Sequence, residues 1–337
     1  MNEDFEIKDG ILIKYHGNDE NVIIPDGVTS IGNEVFKNCT SLTSVKIPDS
    51  VTSIRYGAFA GCTSLTSVTI PDSVTSIGSS AFNDCKSLTS VTIPESVKSI
   101  GNSAFYLCQG LTSVTIPDSV TSIGEESFKY CTSLISVNIP DSVTNIGWGA
   151  FLGCVNLVSV TISDSMTNIE HSIFSDCTNL RSVTIPDNVT SIGNTAFWRC
   201  KNLSSVRLPD EIEIVGKHAF PPEIEVIYYN MKFKSDRVGN INLYEMLWNV
   251  FFNQPDDEKI VTRIKKNFIS LFCYLIDHEK IEMIQKILDS EKFITEENID
   301  DLIRCAIDHE KYQSQIILTD YKQQKNWYQD IDKKLKL

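Results

Sequence analysis

The stretch that decides the fold, residues 65–87, is one unit of a repeat and reads Leu65-Thr66-Ser67-Val68-Thr69-Ile70-Pro71-Asp72-Ser73-Val74-Thr75-Ser76-Ile77-Gly78-Ser79-Ser80-Ala81-Phe82-Asn83-Asp84-Cys85-Lys86-Ser87. Its first part, residues 65–70, ends in the alternation of apolar and polar residues that is typical of a half-buried strand. Pro71 ends that strand because proline cannot donate to a sheet ladder. Val74 and Ile77 form a second apolar pair, and Phe82 and Cys85 fill a last corner as a short helical turn. The unit therefore predicts one coil wrapped around a core.

The unit recurs with a period of 23 residues. Its cysteine stands at Cys39, Cys62, Cys85, Cys108, Cys131, Cys154, Cys177 and Cys200. Its phenylalanine stands at Phe36, Phe59, Phe82, Phe105, Phe128, Phe151, Phe174, Phe197 and Phe220. A fixed period of this length is typical of a solenoid, in which each unit buries its apolar face only against its neighbours. The sequence predicts about nine coils with these two residues stacked in ladders through the core.

Most departures from the unit fall in one coil. Glu170 replaces the glycine, Ser163 the proline, Met166 the valine and Ile173 the alanine, whereas Arg55 replaces a glycine elsewhere. We expect the coil around residues 163–174 to be the least regular.

Three segments follow from the change of pattern along the chain. Residues 1–19 carry an Asp-Gly turn between two short apolar runs, which predicts a β-hairpin cap. Residues 20–229 are the solenoid, and residues 230–337 change to a helical period. In that third segment one helix begins near Leu243, and a second is predicted to run from Ile260 to Leu275.

A short echo lies within the third segment. Ile276-Asp277-His278-Glu279-Lys280 returns as Ile307-Asp308-His309-Glu310-Lys311. The echo predicts two helix-pair units with Asp-His-Glu at the helix junction. Residues about 265–325 resemble ankyrin-type helical hairpins, although the T-P-L-H turn signature is absent.

The repeated pattern L-x-x-V-x-I-P-x-x-V-x-x-I-G-x-x-A-F-x-x-C resembles the BspA-type leucine-rich repeat over about residues 20–222. The resemblance implies a leucine-rich-repeat solenoid, mainly β with short helical turns in 23-residue coils, followed here by an all-α C-terminal domain. It also implies a surface that binds proteins or adheres to them, without catalysis.

The two regular ladders have structural explanations. Zinc sites use closely spaced pairs, whereas each cysteine of the ladder is 23 residues from the next. Parallel ladder side chains also do not turn toward each other as a disulfide requires. We expect buried free thiols and no metal or cofactor. The acidic ladder one residue after the proline position is predicted to be a solvated turn, with Ca²⁺ binding as the alternative. It comprises Asp26, Asp49, Asp72, Glu95, Asp118, Asp141, Asp164, Asp187 and Asp210.

The positions where the repeats differ are the candidates for binding. They follow the glycine and the phenylalanine of the unit, and they carry aromatic residues, which interface hot spots favour. Neutral drift on an unconstrained edge explains the same variety. The candidate partner-binding residues are Tyr56, Tyr106, Tyr130, Trp148 and Trp198.

Composition and motifs set the class of function. The formal net charge of −14 disfavours binding to a phosphate backbone, which needs clustered Lys and Arg. No P-loop, Rossmann glycine triplet, G-x-S-x-G or H-E-x-x-H motif is present, so no catalytic residue is assigned. The acidic N-terminus predicts that there is no export signal. Together with free cysteines, this predicts a cytoplasmic location. No apolar run is long enough to span a membrane.

The sequence therefore favours a non-catalytic scaffold that binds a protein partner through the solenoid surface, with a monomer as the default state. Two alternatives stay open. One is a cell-surface or secreted adhesin of a host-associated microbe, exported by a non-classical route. The other is an enzyme activity in the helical C-terminal domain.

Overall fold

The computed structural model describes residues 4–235 and 239–327. The chain divides into two compact units, residues 1–242 and 243–337. Within the described residues, the first is a β-solenoid of about nine coils and the second contains six helices.

Each coil contributes two short strands, because the unit has two apolar segments separated by the Pro-Asp turn. The first strands are β3 (Asn21–Ile23), β5 (Ser44–Lys46), β7 (Ser67–Thr69), β9 (Ser90–Thr92), β11 (Ser113–Thr115), β13 (Ser136–Asn138), β15 (Ser159–Thr161), β17 (Ser182–Val183) and β19 (Ser205–Arg207). The second strands are β4 (Ser30–Ile31), β6 (Ser53–Ile54), β8 (Ser76–Ile77), β10 (Ser99–Ile100), β12 (Ser122–Ile123), β14 (Asn145–Ile146), β16 (Asn168–Ile169), β18 (Ser191–Ile192) and β20 (Ile214–Val215).

Equivalent strands of successive coils pair in parallel, in the register of the repeat. Ile100, for example, pairs with Ile77 on one side and with Ile123 on the other. The first strands β3 to β17 form one eight-stranded sheet. The second strands β4 to β14 belong to another, and β16, β18 and β20 form a separate three-stranded sheet.

A hairpin begins the solenoid, as the Asp-Gly turn predicts. Strands β1 (Phe5–Lys8) and β2 (Ile11–Tyr15) are antiparallel, and Gly10 adopts φ +76° in the turn between them. Strand β2 then pairs with β4, so the hairpin extends the sheet of second strands beyond the first coil. The ring of Tyr15 also packs on Phe36, with 5.1 Å between ring centroids.

The core consists of ladders of identical side chains. The nine phenylalanines of the repeat are fully buried and stack from coil to coil, with centroids 5.0 to 5.5 Å apart and interplanar angles of 2° to 19°. The corner that carries them is a run of turns closed by bonds such as Cys62 N–H to Phe59 O. Burial of these rings is the main apolar contribution of each corner to stability.

The β-structure at the far end of the solenoid continues past residue 229, where the sequence predicts that the solenoid ends. Strand β21 (Glu225–Tyr228) pairs in parallel with β19 and antiparallel with β22 (Met231–Lys234). Residues 231–234 are therefore strand and not part of the helical segment. The alternation of Met231 and Phe233 with two lysines suits a strand with one half-buried face.

The second unit contains α1 (Leu243–Asn253), α2 (Glu258–Lys266), α3 (Phe268–Asp277), α4 (Ile281–Ser290), α5 (Ile299–Asp308) and α6 (Tyr312–Gln324). The single helix predicted from Ile260 to Leu275 was wrong. It is divided at Asn267, whose side-chain amide donates to Arg263 O and whose backbone N–H donates to Ile264 O. An asparagine that bonds to its own backbone competes with the helix.

The repeated Asp-His-Glu-Lys segments form the junctions of two helical hairpins, as predicted. Glu279 and Glu310 adopt left-handed φ values of +53° and +56°. The next residue then donates back into the helix, from Lys280 N–H to Leu275 O and from Lys311 N–H to Ala306 O, which ends α3 and α5. Helix α5 packs beside α3, and α6 beside α4.

Candidate functional site

The cysteine ladder is part of the core and not a reactive centre. Cys62 and the six that follow it are fully buried, and each Sγ donates to the carbonyl oxygen of the phenylalanine one coil earlier, as from Cys62 to Phe36 at 3.0 Å. Burial raises the pKa of Cys154 and Cys200 to about 12. Cys39 departs from the predicted core ladder: it is half-buried, because the first coil has no earlier phenylalanine corner to cover it.

The remaining two cysteines lie in the helical unit. Cys273 of α3 and Cys305 of α5 are joined as a disulfide, with 6.2 Å between their Cα atoms. The expectation of free cysteines therefore holds for the eight repeat thiols and was wrong for these two. The sequence pattern offered no signal for the pair, because their proximity depends on how α3 and α5 pack.

The acidic ladder faces solvent. Its members are exposed except Asp210, which is half-buried, and Asp141 Oδ1 accepts a hydrogen bond from the backbone N–H of Asp164 at 3.1 Å. Within residues 4–235 and 239–327, no group of three or more His, Cys, Asp or Glu side chains is arranged to hold a metal ion.

Three of the five candidate aromatic residues come together on one side of the solenoid. Tyr106, Tyr130 and Trp148 belong to the coils of Phe105, Phe128 and Phe151, and all three surround the ammonium group of Lys129. We call these four residues the aromatic cluster. Tyr56 and Trp198 lie elsewhere on the solenoid: Tyr56 is 52% exposed, and Trp198 is half-buried against His218 with ring centroids 5.3 Å apart.

Cation–π contacts and an ion pair hold the aromatic cluster together. Lys129 Nζ lies 5.7 Å from the ring centroid of Tyr106, 5.4 Å from that of Tyr130 and 5.2 Å from that of Trp148. Glu126 Oε1 lies 2.6 Å from the same ammonium group. Trp148 remains 40% exposed and Tyr130 37% exposed. The cluster is therefore an ordered aromatic surface that is still open to solvent.

Sequence reasoning missed Lys129 and Glu126. The coil of Phe36 carries the same pair at the same spacing, with Lys37 Nζ 2.7 Å from Glu34 Oε1. The Lys129–Glu126 ion pair could have been predicted from this recurrence. The aromatic contacts could not, because Tyr106, Tyr130 and Trp148 occupy different positions of the repeat in three coils.

A groove of about 450 Å³ lies beside the aromatic cluster. Its polar and aromatic lining comes from Asn102, Ser122, Glu125, Asn145, Trp148 and Glu170. We call this cavity the Trp148 groove. Most of its lining belongs to the coils of β10, β12 and β14, and Glu170, directly after β16, lies on the side where the sheet of second strands is interrupted.

The interruption coincides with Glu170, at the glycine position of the irregular coil. A Cβ at this position points at the preceding coil: one built on Gly124 would lie 2.5 Å from Asn102 N. Gly147 N–H donates to Ile123 O at 2.8 Å, and Gly193 N–H donates to Ile169 O. In the described part of the chain, Glu170 N–H makes no equivalent bond to Ile146 O. The prediction that this coil is the least regular is confirmed for its second strand.

A Cβ is not sufficient by itself to open the ladder. Arg55 also replaces the glycine, yet its N–H donates to Ile31 O at 3.0 Å. In the coil of Glu170 three further positions depart from the repeat. The preceding coil also differs: it carries Trp148, the largest side chain at the position that follows the glycine of the repeat.

We expect Glu170→Gly to restore the missing ladder bond. Hydrogen–deuterium exchange at residues 167 and 170 should slow by about fivefold, because one backbone hydrogen bond contributes about 1 kcal/mol net. Arg55→Gly is the matched control and should leave exchange at its own coil unchanged. Equal exchange at residue 170 in the wild type and the Gly variant would contradict this explanation of the groove.

The helices of the described residues lack the length and apolar composition that crossing a bilayer requires.

Comparisons with known proteins agree with this architecture. A family model described as BspA type leucine rich repeat region, with six copies, matches residues 13–134 and 98–225. The chain is similar to a solved leucine-rich repeat protein from Bacteroides ovatus, at 32% identity and a TM-score of 0.57, over 62% of this chain and 55% of that one. It is also similar to the leucine-rich repeat protein of T. pallidum, at 28% identity and a TM-score of 0.46, over 60% of this chain and 89% of that one. No curated protein matches the chain.

Leucine-rich-repeat proteins are in general interaction or adhesin-like scaffolds and are typically non-enzymatic. The matched residues include all nine phenylalanine positions of the repeat and cover more than half of the sequence. The chain belongs to the BspA-type leucine-rich repeat family.

Proposed function

We propose that this protein is a non-catalytic scaffold that binds a protein partner through the solenoid surface. The observation that carries the proposal is the aromatic cluster. Three exposed or half-buried aromatic rings from three successive coils meet at positions that the repeat leaves free. The packing of the core does not require aromatic residues there, because other coils place asparagine, serine or alanine at the same positions.

The chemistry of the aromatic cluster suits an interface centre. Tyrosine and tryptophan supply large contact areas at a small entropic cost, and they dominate binding energy in many interfaces. The ion pair between Lys129 and Glu126 and the edge-on packing of Tyr106 against Tyr130, with centroids 6.0 Å apart, hold the rings in place before a partner arrives. A preordered surface loses less conformational entropy on binding.

Affinity capture with the full chain tests the proposal. The bait is compared with three variants, Tyr106→Ala/Tyr130→Ala, Trp148→Ala and Trp198→Ala, in a lysate of the cells that make the protein. We expect the first two variants to lose most of the captured partner and Trp198→Ala, outside the cluster, to keep it. Ile135→Ala removes a side chain that is 54% exposed and is the neutral control. Equal capture by all four variants would overturn the proposal.

We also propose a cytoplasmic location, which the eight free repeat thiols support, whereas the Cys273–Cys305 disulfide is more typical of an oxidising compartment. Protease treatment of intact cells is the test, with a known surface protein as the positive control. The proposal predicts cleavage only after lysis. Cleavage in intact cells would favour the adhesin alternative instead.

A further inference from the structure

We propose that the Trp148 groove is a subsite for an arginine side chain of the protein partner. The inference rests on the proposed function, and it adds the chemistry that the partner must present. Three features of the groove carry it: its carboxylates, its tryptophan and the interruption of the sheet beside it.

The charge of the groove selects a cation. Glu125 and Glu170 both line it, and no lysine or arginine does. The carboxylate of Glu125 makes no hydrogen bond or ion pair with any residue of the described ranges, and it is exposed. Glu170 Oε1 accepts one hydrogen bond, from Asn168 Nδ2 at 3.1 Å, and has a second oxygen for a further donor. The lining thus offers carboxylate acceptors that the chain itself does not neutralise.

The tryptophan favours a planar cation. A guanidinium group stacks on an aromatic face and carries five N–H donors for the surrounding oxygens, whereas an ammonium group is a compact point charge with three. Trp148 already takes part in a cation–π contact, since Lys129 Nζ lies 5.2 Å from its ring centroid. The positive charge of Lys129 is balanced by Glu126 at 2.6 Å, which limits its repulsion of an incoming cation.

The interruption of the ladder lies at one side of the groove. Where the ladder is intact, successive coils close against each other through bonds such as Gly147 N–H to Ile123 O. At Glu170 that bond is missing in the described chain, and the side chain stands at the edge of the gap. A guanidinium complements the negative charge of the two carboxylates and can donate to both, whereas a neutral sugar lacks that charge.

The test uses the full chain labelled with ¹⁵N at its four tryptophans, and it follows the indole N–H signals by NMR. The probe is the pentapeptide Ac-Gly-Gly-Arg-Gly-Gly-NH₂, with peptides that carry Lys or Gln at the centre for comparison. Trp148→Ala assigns the signal of interest. We expect the Arg peptide to shift the Trp148 signal at millimolar concentration, the Lys peptide to bind several-fold more weakly and the Gln peptide to leave the signal in place.

Matched variants locate the subsite. Glu125→Gln and Glu170→Gln should each weaken binding by about two- to fivefold, the range for exposed ion pairs. Asp72→Asn changes the net charge equally on the acidic ladder, and Tyr56→Ala removes the aromatic residue at the position of Trp148 four coils earlier; both should bind as the wild type does. Equal weakening by Asp72→Asn would show that only the overall charge matters and would overturn the subsite.

Two further outcomes also overturn it. One is an equal shift of the Trp148 signal by the Gln peptide. The other is a shift caused by a neutral tetrasaccharide and not by the Arg peptide. The two proposals remain separable, because loss of capture in Tyr106→Ala/Tyr130→Ala with no response to the Arg peptide supports the scaffold and rejects the arginine subsite.

Discussion

Raising the pH from 8 to 10 is expected to lower the free energy of unfolding of the solenoid by several kcal/mol. Seven repeat thiols, from Cys62 to Cys200, are fully buried in the folded state. Burial is the first cause of the raised pKa at six of them, and at Cys85 the hydrogen bond with Cys108 comes first, followed by burial. The folded state therefore keeps protons that the unfolded chain releases.

The direction of the effect follows from proton binding. The stabilisation by protonated thiols is fully present below the unfolded pKa of about 9 and is lost as the pH rises toward the folded values, which reach about 12 for Cys154 and Cys200. One pH unit corresponds to about 1.4 kcal/mol for each thiol, so Cys154 and Cys200 alone lose roughly 3 kcal/mol by pH 10, and the other five buried thiols add to this loss. Even the part from these two thiols is a large fraction of the stability of an ordinary domain, about 5–15 kcal/mol.

Urea unfolding at several pH values, followed by circular dichroism, measures the effect. Tyrosine and lysine also titrate near pH 10, so the contribution of the thiols needs its own control. Cys154→Ala/Cys200→Ala removes the two thiols whose pKa reaches about 12 and should reduce the pH-dependent loss by roughly 3 kcal/mol. An unchanged pH dependence in this variant would contradict the buried-thiol explanation.

The second large effect is expected for Phe128→Ala, which should destabilise the solenoid by about 3–5 kcal/mol. Phe128 is fully buried in the middle of the stack, with its ring centroid 5.3 Å from that of Phe105 and 5.3 Å from that of Phe151. The substitution leaves a cavity and removes both ring contacts. Each coil is stabilised only by its neighbours, so a break in the middle also weakens the coupling between the two halves.

Thermal and urea unfolding of the variant give the magnitude. Ile135→Ala, at a side chain that is 54% exposed in the next coil, should change the free energy of unfolding by less than about 0.5 kcal/mol. A cost below about 1 kcal/mol for Phe128→Ala would mean that the stack is not the main source of stability in these coils.

The regular part of the fold could be predicted because the repeat constrains it. A residue at one position of a coil must meet the same residue 23 positions later, and Ser99 pairs with Ser76 and Ser122 accordingly. The hairpin around Gly10 and the irregular coil at Glu170 were also predictable, the first from its turn residues and the second from its departures. In these places local sequence and long-range packing favour the same structure.

The other features of the fold could not be predicted from the sequence, because they depend on tertiary packing that the periodic pattern does not indicate. Asn267 ends a helix inside an otherwise continuous apolar stripe, and Cys273 meets Cys305 only because α3 and α5 lie side by side. The candidate site divides in the same way. Its aromatic residues could be selected because they interrupt the repeat, but the meeting of Tyr106, Tyr130 and Trp148 around Lys129 required the path of each corner in space.

Site-specific photo-crosslinking in the cells that make the protein tests the central claim most directly. A benzophenone side chain is placed at residue 106 or 130, within the aromatic cluster. The exposed controls are residue 23, in β3, and residue 135, directly before β13. The account predicts a discrete crosslinked partner from residues 106 and 130 and none from residues 23 and 135. Crosslinks from the control positions alone would place the binding surface on the other side of the coils and contradict the account.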